Sequence, residues 1–284
     1  MTRSDLEKDP WLAIGALLEK SAEARDDKTS LPLSDKHILI AGGDKGIGAH
    51  VTRSLAVLGA KVSLISDDPI CVAFVREKIH LSTEIEIHDY VTDFTNEDQT
   101  GQAIEWATNL LGAPYSLINA IDLPCSAPFG EIPASDIQTV LSTNLLGPAN
   151  TIRGSLAGFK ENGSGIVINI AAAIALNGGA NQSIYAASKA GLVALGQSLN
   201  AELSAQDISV YSLCPGITLT ADLEKTLASI AEQQNIPFES LLEQVSKANN
   251  QPFLINPKNV TVVIEEILTG STRYKDNPTI SNFD

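Results

Sequence analysis

A short apolar run, His37-Ile38-Leu39-Ile40-Ala41, passes directly into Gly42-Gly43-Asp44-Lys45-Gly46-Ile47-Gly48. Residues 49–59 then carry apolar side chains at helical spacing, and a second apolar run follows, Lys61-Val62-Ser63-Leu64-Ile65. Strand, glycine turn, helix and strand in that order form a βαβ unit, whose crossover leaves its two strands parallel. Further apolar runs at 84–88, 116–120, 165–170 and 209–213 alternate with segments long enough for helices. A parallel sheet must be covered on both faces. The expected architecture is therefore α/β, a doubly wound parallel sheet with helices on each side.

The glycine turn also has a chemical reading. Glycines at the end of the first strand let the backbone approach an anion closely, and a helix beginning near Ile47 directs its free N–H groups and positive dipole end toward it. This makes Gly42, Lys45, Gly46, Ile47 and Gly48 candidate contacts to a dinucleotide pyrophosphate. Lys45 favours a 2′-phosphate by charge, whereas Asp67 and Asp68, after the second strand, favour a free ribose diol. NAD and NADP both stay open.

A second motif lies far along the chain. Tyr185-Ala186-Ala187-Ser188-Lys189 sets a phenol and an ammonium four residues apart, on one face if the segment is helical. A lysine beside a tyrosine favours the phenolate, so the phenol is expected below its reference pKa of ~10 and able to act as a general acid/base.

Composition removes several alternatives. Thirty-four acidic against nineteen basic residues give a formal charge of −15, which opposes nucleic acid or an anionic membrane as partner. No apolar run is long enough to span a bilayer. Cys71, Cys125 and Cys214 and four isolated histidines suggest neither a disulfide framework nor a metal site. The expectation is a soluble, cytoplasmic protein acting on a small molecule. Residues 1–33 read as an N-terminal arm around an amphipathic segment beginning at Trp11, and 34–284 as one dinucleotide-binding domain of Rossmann type.

Taken in order, these motifs resemble the short-chain dehydrogenase/reductase family over about residues 35–270. The glycine turn is similar to the family's TGxxxGIG, with Ala41 in place of the threonine. Ile118-Asn119-Ala120-Ile121 stands where the family has NNAG, Asn144 matches an asparagine of the active-site proton relay, and Tyr185 and Lys189 match YxxxK. Cys214-Pro215-Gly216-Ile217-Thr218-Leu219-Thr220 resembles the PG motif, whose following threonine contacts the nicotinamide carboxamide.

The resemblance implies NAD or NADP as cofactor, with Gly42, Lys45, Gly46, Ile47, Gly48, Asp67, Asn119, Ala120, Tyr185, Lys189, Pro215, Gly216, Thr218 and Thr220 around it. It also implies a homodimer or homotetramer packed through the helices carrying Asn144 and Tyr185. In the family the tyrosine transfers a proton, the lysine activates it, and a serine fixes the substrate carbonyl. That serine falls on Ala172 here, between Ala171 and Ala173, and Ser183, Asn177 and Asp122 are substitutes by sequence proximity alone. An adenine-contacting aspartate falls near Asp89 or Tyr90.

The variable substrate loop falls at about 217–256. There, 221–233 and 238–249 read as amphipathic helices able to close as a lid, with Leu223, Leu227, Ile230, Leu241 and Leu242 serving either as an apolar lid surface or as packing between the two helices. The function expected is an oxidoreductase interconverting a carbonyl or imine and an alcohol or amine on a small, apolar substrate. The alternatives are non-redox chemistry, such as cyclisation or isomerisation, with the dinucleotide structural, or a catalytically silent binding subunit.

Overall fold

The computed structural model describes residues 31–83, 85–249, 251 and 254–283. The amphipathic segment expected in the N-terminal arm lies outside the described residues. In chain order the main elements are β1 (His37–Ala41), α1 (Gly46–Val57), β2 (Lys61–Ser66), α2 (Pro69–Thr83), β3 (His88–Val91), α3 (Glu97–Leu111) and β4 (Ser116–Asn119). They continue with α4 (Ala134–Leu141), a π-helical turn (Ser142–Leu146), α5 (Gly147–Asn162), β5 (Gly165–Ile170), α6 (Ile174–Asn177), α7 (Ser183–Leu203) and β6 (Ile208–Leu213). The last are α8 (Ala221–Gln234), α9 (Phe238–Ala248), α10 (Pro257–Leu268) and β7 (Thr279–Ile280).

The seven strands form one sheet in the order β3-β2-β1-β4-β5-β6-β7, and every pairing is parallel. Side chains alternate across it with the strand period of two. Ile38 and Ile40 of β1 join Val62, Leu64, Ile118 and Ile168 in a core with Val51 and Leu55 of α1 and Val260 and Ile264 of α10. Leu39 and Ala41 face the other way, into a core with Leu117, Val167, Ala103 and Ile104 of α3, and Ile152 and Phe159 of α5. Burying each such large apolar side chain contributes about 1.5–3 kcal/mol, and both faces are served by the same strands.

Local signals set the helix limits. Asn96 caps α3 by accepting from the Gln99 N–H at 3.1 Å, Glu97 and Asp98 fill its first turn, and both complement the free N–H groups and dipole there. The third strand differs from the expectation. The ladder to β2 runs from Ser63↔His88 to Ser66↔Val91, so the strand begins where the expected 84–88 run ended. The reason is that α2 continues to Thr83, leaving Ile85 and Ile87 to pack into the core from a connector. The π-helical turn and β7 carry no periodic signal in the sequence.

The strand order reverses between β1 and β4, since the chain leaves β1 toward β2 on one side and returns to β4 on the other. A crevice opens beyond the carboxyl ends of the strands at such a point. The glycine turn leaves β1 there, and the loop 120–123 leaves β4 beside it.

Candidate active site

Gly42 stands at the mouth of that crevice with φ +72, and a Cβ on it would lie 2.8 Å from the Ile121 nitrogen. The turn and the β4 loop touch backbone to backbone. A Cβ on Gly48 would sit 2.4 Å from the Gly42 carbonyl oxygen, so the first turn of α1 closes on the glycine turn itself. Gly46 differs, because a Cβ there meets nothing nearer than Thr220 Cγ2 at 4.0 Å. No side chain caps α1, whose N-cap is Lys45, and the N–H groups of its first turn stay available to an anion. Ile47 is half-buried behind them.

Charges gather beside the turn. Lys45 Nζ lies 2.9 Å from Asp68 Oδ2 and 4.0 Å from Asp44 Oδ2. Asp68 also accepts from the N–H groups of Ile70 and Cys71 at 3.0 and 2.9 Å. These bonds, with Lys45, hold its carboxyl well below the usual range. Asp67 is exposed. Asp44 is buried, its Oδ2 without a hydrogen-bond partner, and burial pushes its carboxyl up.

Helix α7 presents Tyr185 and Lys189 one turn apart, toward the β4 loop. Lys189 is 1% exposed. Its Nζ donates to Asp122 Oδ1 at 2.8 Å, the Ile121 carbonyl at 3.1 Å and the Ile170 carbonyl at 3.4 Å. The Tyr185 hydroxyl donates to the same Asp122 Oδ1 at 3.0 Å. Of the three residues expected near Tyr185, Asp122 meets it, while Ser183 and Asn177 are exposed at helix ends. An ionised carboxylate only accepts hydrogen bonds, so Asp122 cannot polarise a carbonyl as a hydroxyl does.

The electrostatics of the tyrosine run opposite to the expectation from spacing. Burial, and next the Asp122 carboxylate, raise the Tyr185 phenol above its ordinary range. The ammonium does not offset this. It lies 5.8 Å from the ring centroid and is neutralised by the carboxylate it shares with the phenol.

Asn144 sits in the π-helical turn, fully buried. Its Oδ1 accepts from Leu123 N–H at 2.7 Å, and its Nδ2 donates to the Leu123 carbonyl at 2.9 Å and Ser188 Oγ at 3.0 Å. The side chain therefore ties the β4 loop to α7. Asn119 is similarly committed, its Nδ2 donating to Asn169 Oδ1 at 2.9 Å and its Oδ1 accepting from Thr151 Oγ1 at 2.6 Å. Ala120 donates its N–H to Ala41 at 2.7 Å, which holds β4 against the glycine turn.

Beyond β6, Pro215 accepts from the Ala173 N–H at 2.7 Å. The Ile217 N–H donates to Gln251 Oε1 at 2.7 Å, and a Cβ on Gly216 would clash with that amide. Thr218 Oγ1 donates to the Gly216 carbonyl at 3.0 Å, and Thr220 caps α8. Leu227, Ala231 and Leu241 are buried between α8 and α9 with Leu223, Ile230 and Leu242 around them, so these apolar residues pack the two helices together. Among the described residues no cluster of three or more His, Cys, Asp or Glu could hold a metal, and no helix is long and apolar enough to cross a membrane.

The sequence profile of short chain dehydrogenases matches residues 36–230. The chain belongs to the short-chain dehydrogenase family. As a member it is an oxidoreductase working with NAD or NADP, and the uncapped start of α1 and the open space at Gly46 fit a bound dinucleotide. It is 30% identical over 224 residues to carbonyl reductase family member 4 of Xenopus laevis, covering 78% of this chain and 92% of that one. It is 27% identical over 212 residues to D-beta-hydroxybutyrate dehydrogenase of Rhizobium meliloti, covering 74% and 82%. The L-sorbose reductase of Gluconobacter frateurii, solved with NADPH and L-sorbose, superposes with a TM-score of 0.81 at 18% identity, covering 89% of this chain and 97% of that one. It shares the fold.

The adenine end of the crevice lies past β3. Asp89 and Tyr90 lie within β3, where Asp89 pairs with Arg76 of α2 and Tyr90 packs on Trp106 with centroids 5.2 Å apart. The aspartate just past the strand's carboxyl end is Asp93, whose Oδ1 accepts from Thr95 N–H and Oγ1 at 2.9 and 2.7 Å. The turn-forming run Asp93-Phe94-Thr95-Asn96 before the α3 cap was the available signal.

Proposed function

We propose that this enzyme interconverts a carbonyl and an alcohol, or the related imine and amine, on a small organic substrate, with Tyr185 delivering the proton and Lys189 holding it in place. The observation that carries this is the convergence of both side chains on one point beside the glycine turn. A bound reduced dinucleotide supplies the hydride. Gly42, Gly46, Ile47 and Gly48 cradle its pyrophosphate, Ala120, Pro215, Gly216, Thr218 and Thr220 flank its nicotinamide half, and Asp93 takes the adenine position assigned to 89–90 from the sequence. Asn119 and Asn144 act through the loops they fix.

NAD is the cofactor that the charges support. Lys45 is already paired with Asp68 and faces Asp44, and Asp67 adds a further carboxylate, so a 2′-phosphate would meet net negative charge. At the reacting end, Ala172 and Ala173 are half-buried at the end of β5 and favour an apolar substrate group. With Ala172 in the serine position, the site works without that hydroxyl, whose loss costs on the order of 10²–10³ in rate. Exposed Leu141 and Leu146, at the start and end of the π-helical turn, support assembly into a homodimer or homotetramer.

A second reading, non-redox chemistry or a silent dinucleotide-binding subunit, draws on the missing hydroxyl and on the commitment of the Tyr185 proton to Asp122. Turnover of NADH and NADPH with a panel of ketones, aldehydes and imines separates the two. Reduction with NADH that falls about 10²–10⁴-fold in Tyr185→Phe is the expected result. Tight dinucleotide binding with no turnover until Ala172→Ser is introduced would overturn the first reading in favour of the second.

A further inference from the structure

The Tyr185 phenol has one proton, and Asp122 accepts it at 3.0 Å. The Lys189 ammonium has three, and all have acceptors: Asp122, Ile121 and Ile170. Neither group is left with a spare donor. Asp122 is itself held from both sides, because Lys189 bonds the carbonyl of residue 121 and Asn144 bonds the N–H and carbonyl of residue 123 at 2.7 and 2.9 Å. A loop pinned on either side of one residue presents that residue's side chain in a defined place. The same Asp122 side chain remains 46% exposed, so it borders the open crevice.

We propose that Asp122 is a positioning residue of the acid/base group, accepting the hydrogen bonds of Tyr185 and Lys189 on one carboxylate oxygen so that the phenol is kept as a proton donor. The inference rests on the acid role proposed for Tyr185. In the YxxxK arrangement read from sequence, the ammonium alone biases the tyrosine toward phenolate. A carboxylate between them reverses the bias, since it rewards the neutral phenol with a hydrogen bond and repels the phenolate charge. The phenol is thereby protonated at the start of a reduction: with a reduced nicotinamide bound to supply the hydride, Tyr185 would give up its hydrogen bond to Asp122 and pass that proton to the substrate oxygen, and the phenolate left behind would be reprotonated from solvent.

The other groups facing α7 leave this assignment to Asp122. The π-helical turn brings Asn144 and the β5–α6 segment brings alanines, none of them titratable. Helix α4 carries only Asp136, exposed and bonded to Ser135. From the β6 side comes the buried Cys214 thiol, which burial pushes up to about 11 and which is therefore neutral near pH 7. On α7 itself the charged neighbour is Lys189.

The test is ultraviolet phenolate titration of the protein without dinucleotide. Four other tyrosines contribute, and Tyr185→Phe subtracts them. Asp122→Asn keeps the shape and an acceptor while removing the charge, and Asp122→Ala removes both; circular dichroism confirms that each is folded at the pH used. The expected result is a Tyr185 midpoint about 1–3 units lower in both variants than in the wild type. The alkaline limb of the reduction rate should move down with it, with kcat affected and KM held. An unchanged midpoint, even with reduced thermal stability, would make Asp122 merely structural and overturn the proposal. Because the titration needs neither cofactor nor substrate, its failure leaves the oxidoreductase reading standing, and failure of turnover leaves the titration result standing.

Discussion

Gly46 and Gly48 lie two residues apart in the same turn and serve different ends. Gly48 faces backbone, with the Gly42 carbonyl 2.4 Å from where its Cβ would sit, so Gly48→Ala must move the glycine turn or α1. Gly46 faces open space, and its φ of +52 costs an alanine only about 1–2 kcal/mol. Gly46→Ala is therefore expected to stay folded with a modestly lower melting point while weakening dinucleotide binding at least tenfold, measured by quenching of protein fluorescence. Gly48→Ala is expected to lose stability and binding together. Equal loss of stability in the two variants would contradict this division. The sequence pattern pointed to both glycines without distinguishing them, because it reports only residue type and spacing. The same limit applies to Asn119, which by motif reads as a cofactor contact and whose amide also bridges Asn169 and Thr151.

At the scale of elements, the βαβ start was legible because the apolar period changes from 2 to 3.6 and back across glycine punctuation. The third strand was not, since Ile85 and Ile87 alternate like a strand yet serve as a packed connector. Its displacement leaves Asp89 within the strand and places Asp93 just past its carboxyl end, which is why the adenine contact is proposed there. The π-helical turn was also invisible, although it places Asn144 between the β4 loop and α7. At its two ends, Leu141 and Leu146 are 37% and 45% exposed, which gives the assembly proposal a surface. Light scattering should show a dimer or tetramer, and Leu146→Glu should shift it toward single chains, since a carboxylate buried without a partner is costly. A monomeric wild type would contradict that assembly.

Across the whole molecule, burial decides how stability responds to pH. His50 is lowered by burial to about 4 from 6.5, and burial lowers His37 as well, although it is bonded through Nδ1 to the Gly112 carbonyl at 2.6 Å and through Nε2 to Ser63 at 2.9 Å. The unfolded chain takes up these protons near 6.5 and the folded chain resists until about 4 for His50, so the His50 contribution is whole above 6.5 and lost as pH falls through 4, and His37 acts in the same sense. Asp44 and Glu265, whose carboxyls burial raises, work in the opposite sense. The clean measurement is thus a difference: between pH 7 and 4 the wild-type melting point should fall more than that of His50→Gln, by about 2–4 °C for each kcal/mol involved. Parallel curves would show that His50 does not titrate in this way.

The sequence by itself determined the parallel α/β architecture, the glycine turn at its first crossover, and the pairing of Tyr185 with Lys189, because periodicity and helical spacing are local properties of the chain. Tertiary structure alone decided what surrounds the pair. Asp122 is 63 residues from Tyr185, and no local rule relates the two. Only the reversal of strand order between β1 and β4, with Asn144 pinning the loop, brings that carboxylate between phenol and ammonium and turns a tyrosine expected to lose its proton into one that keeps it.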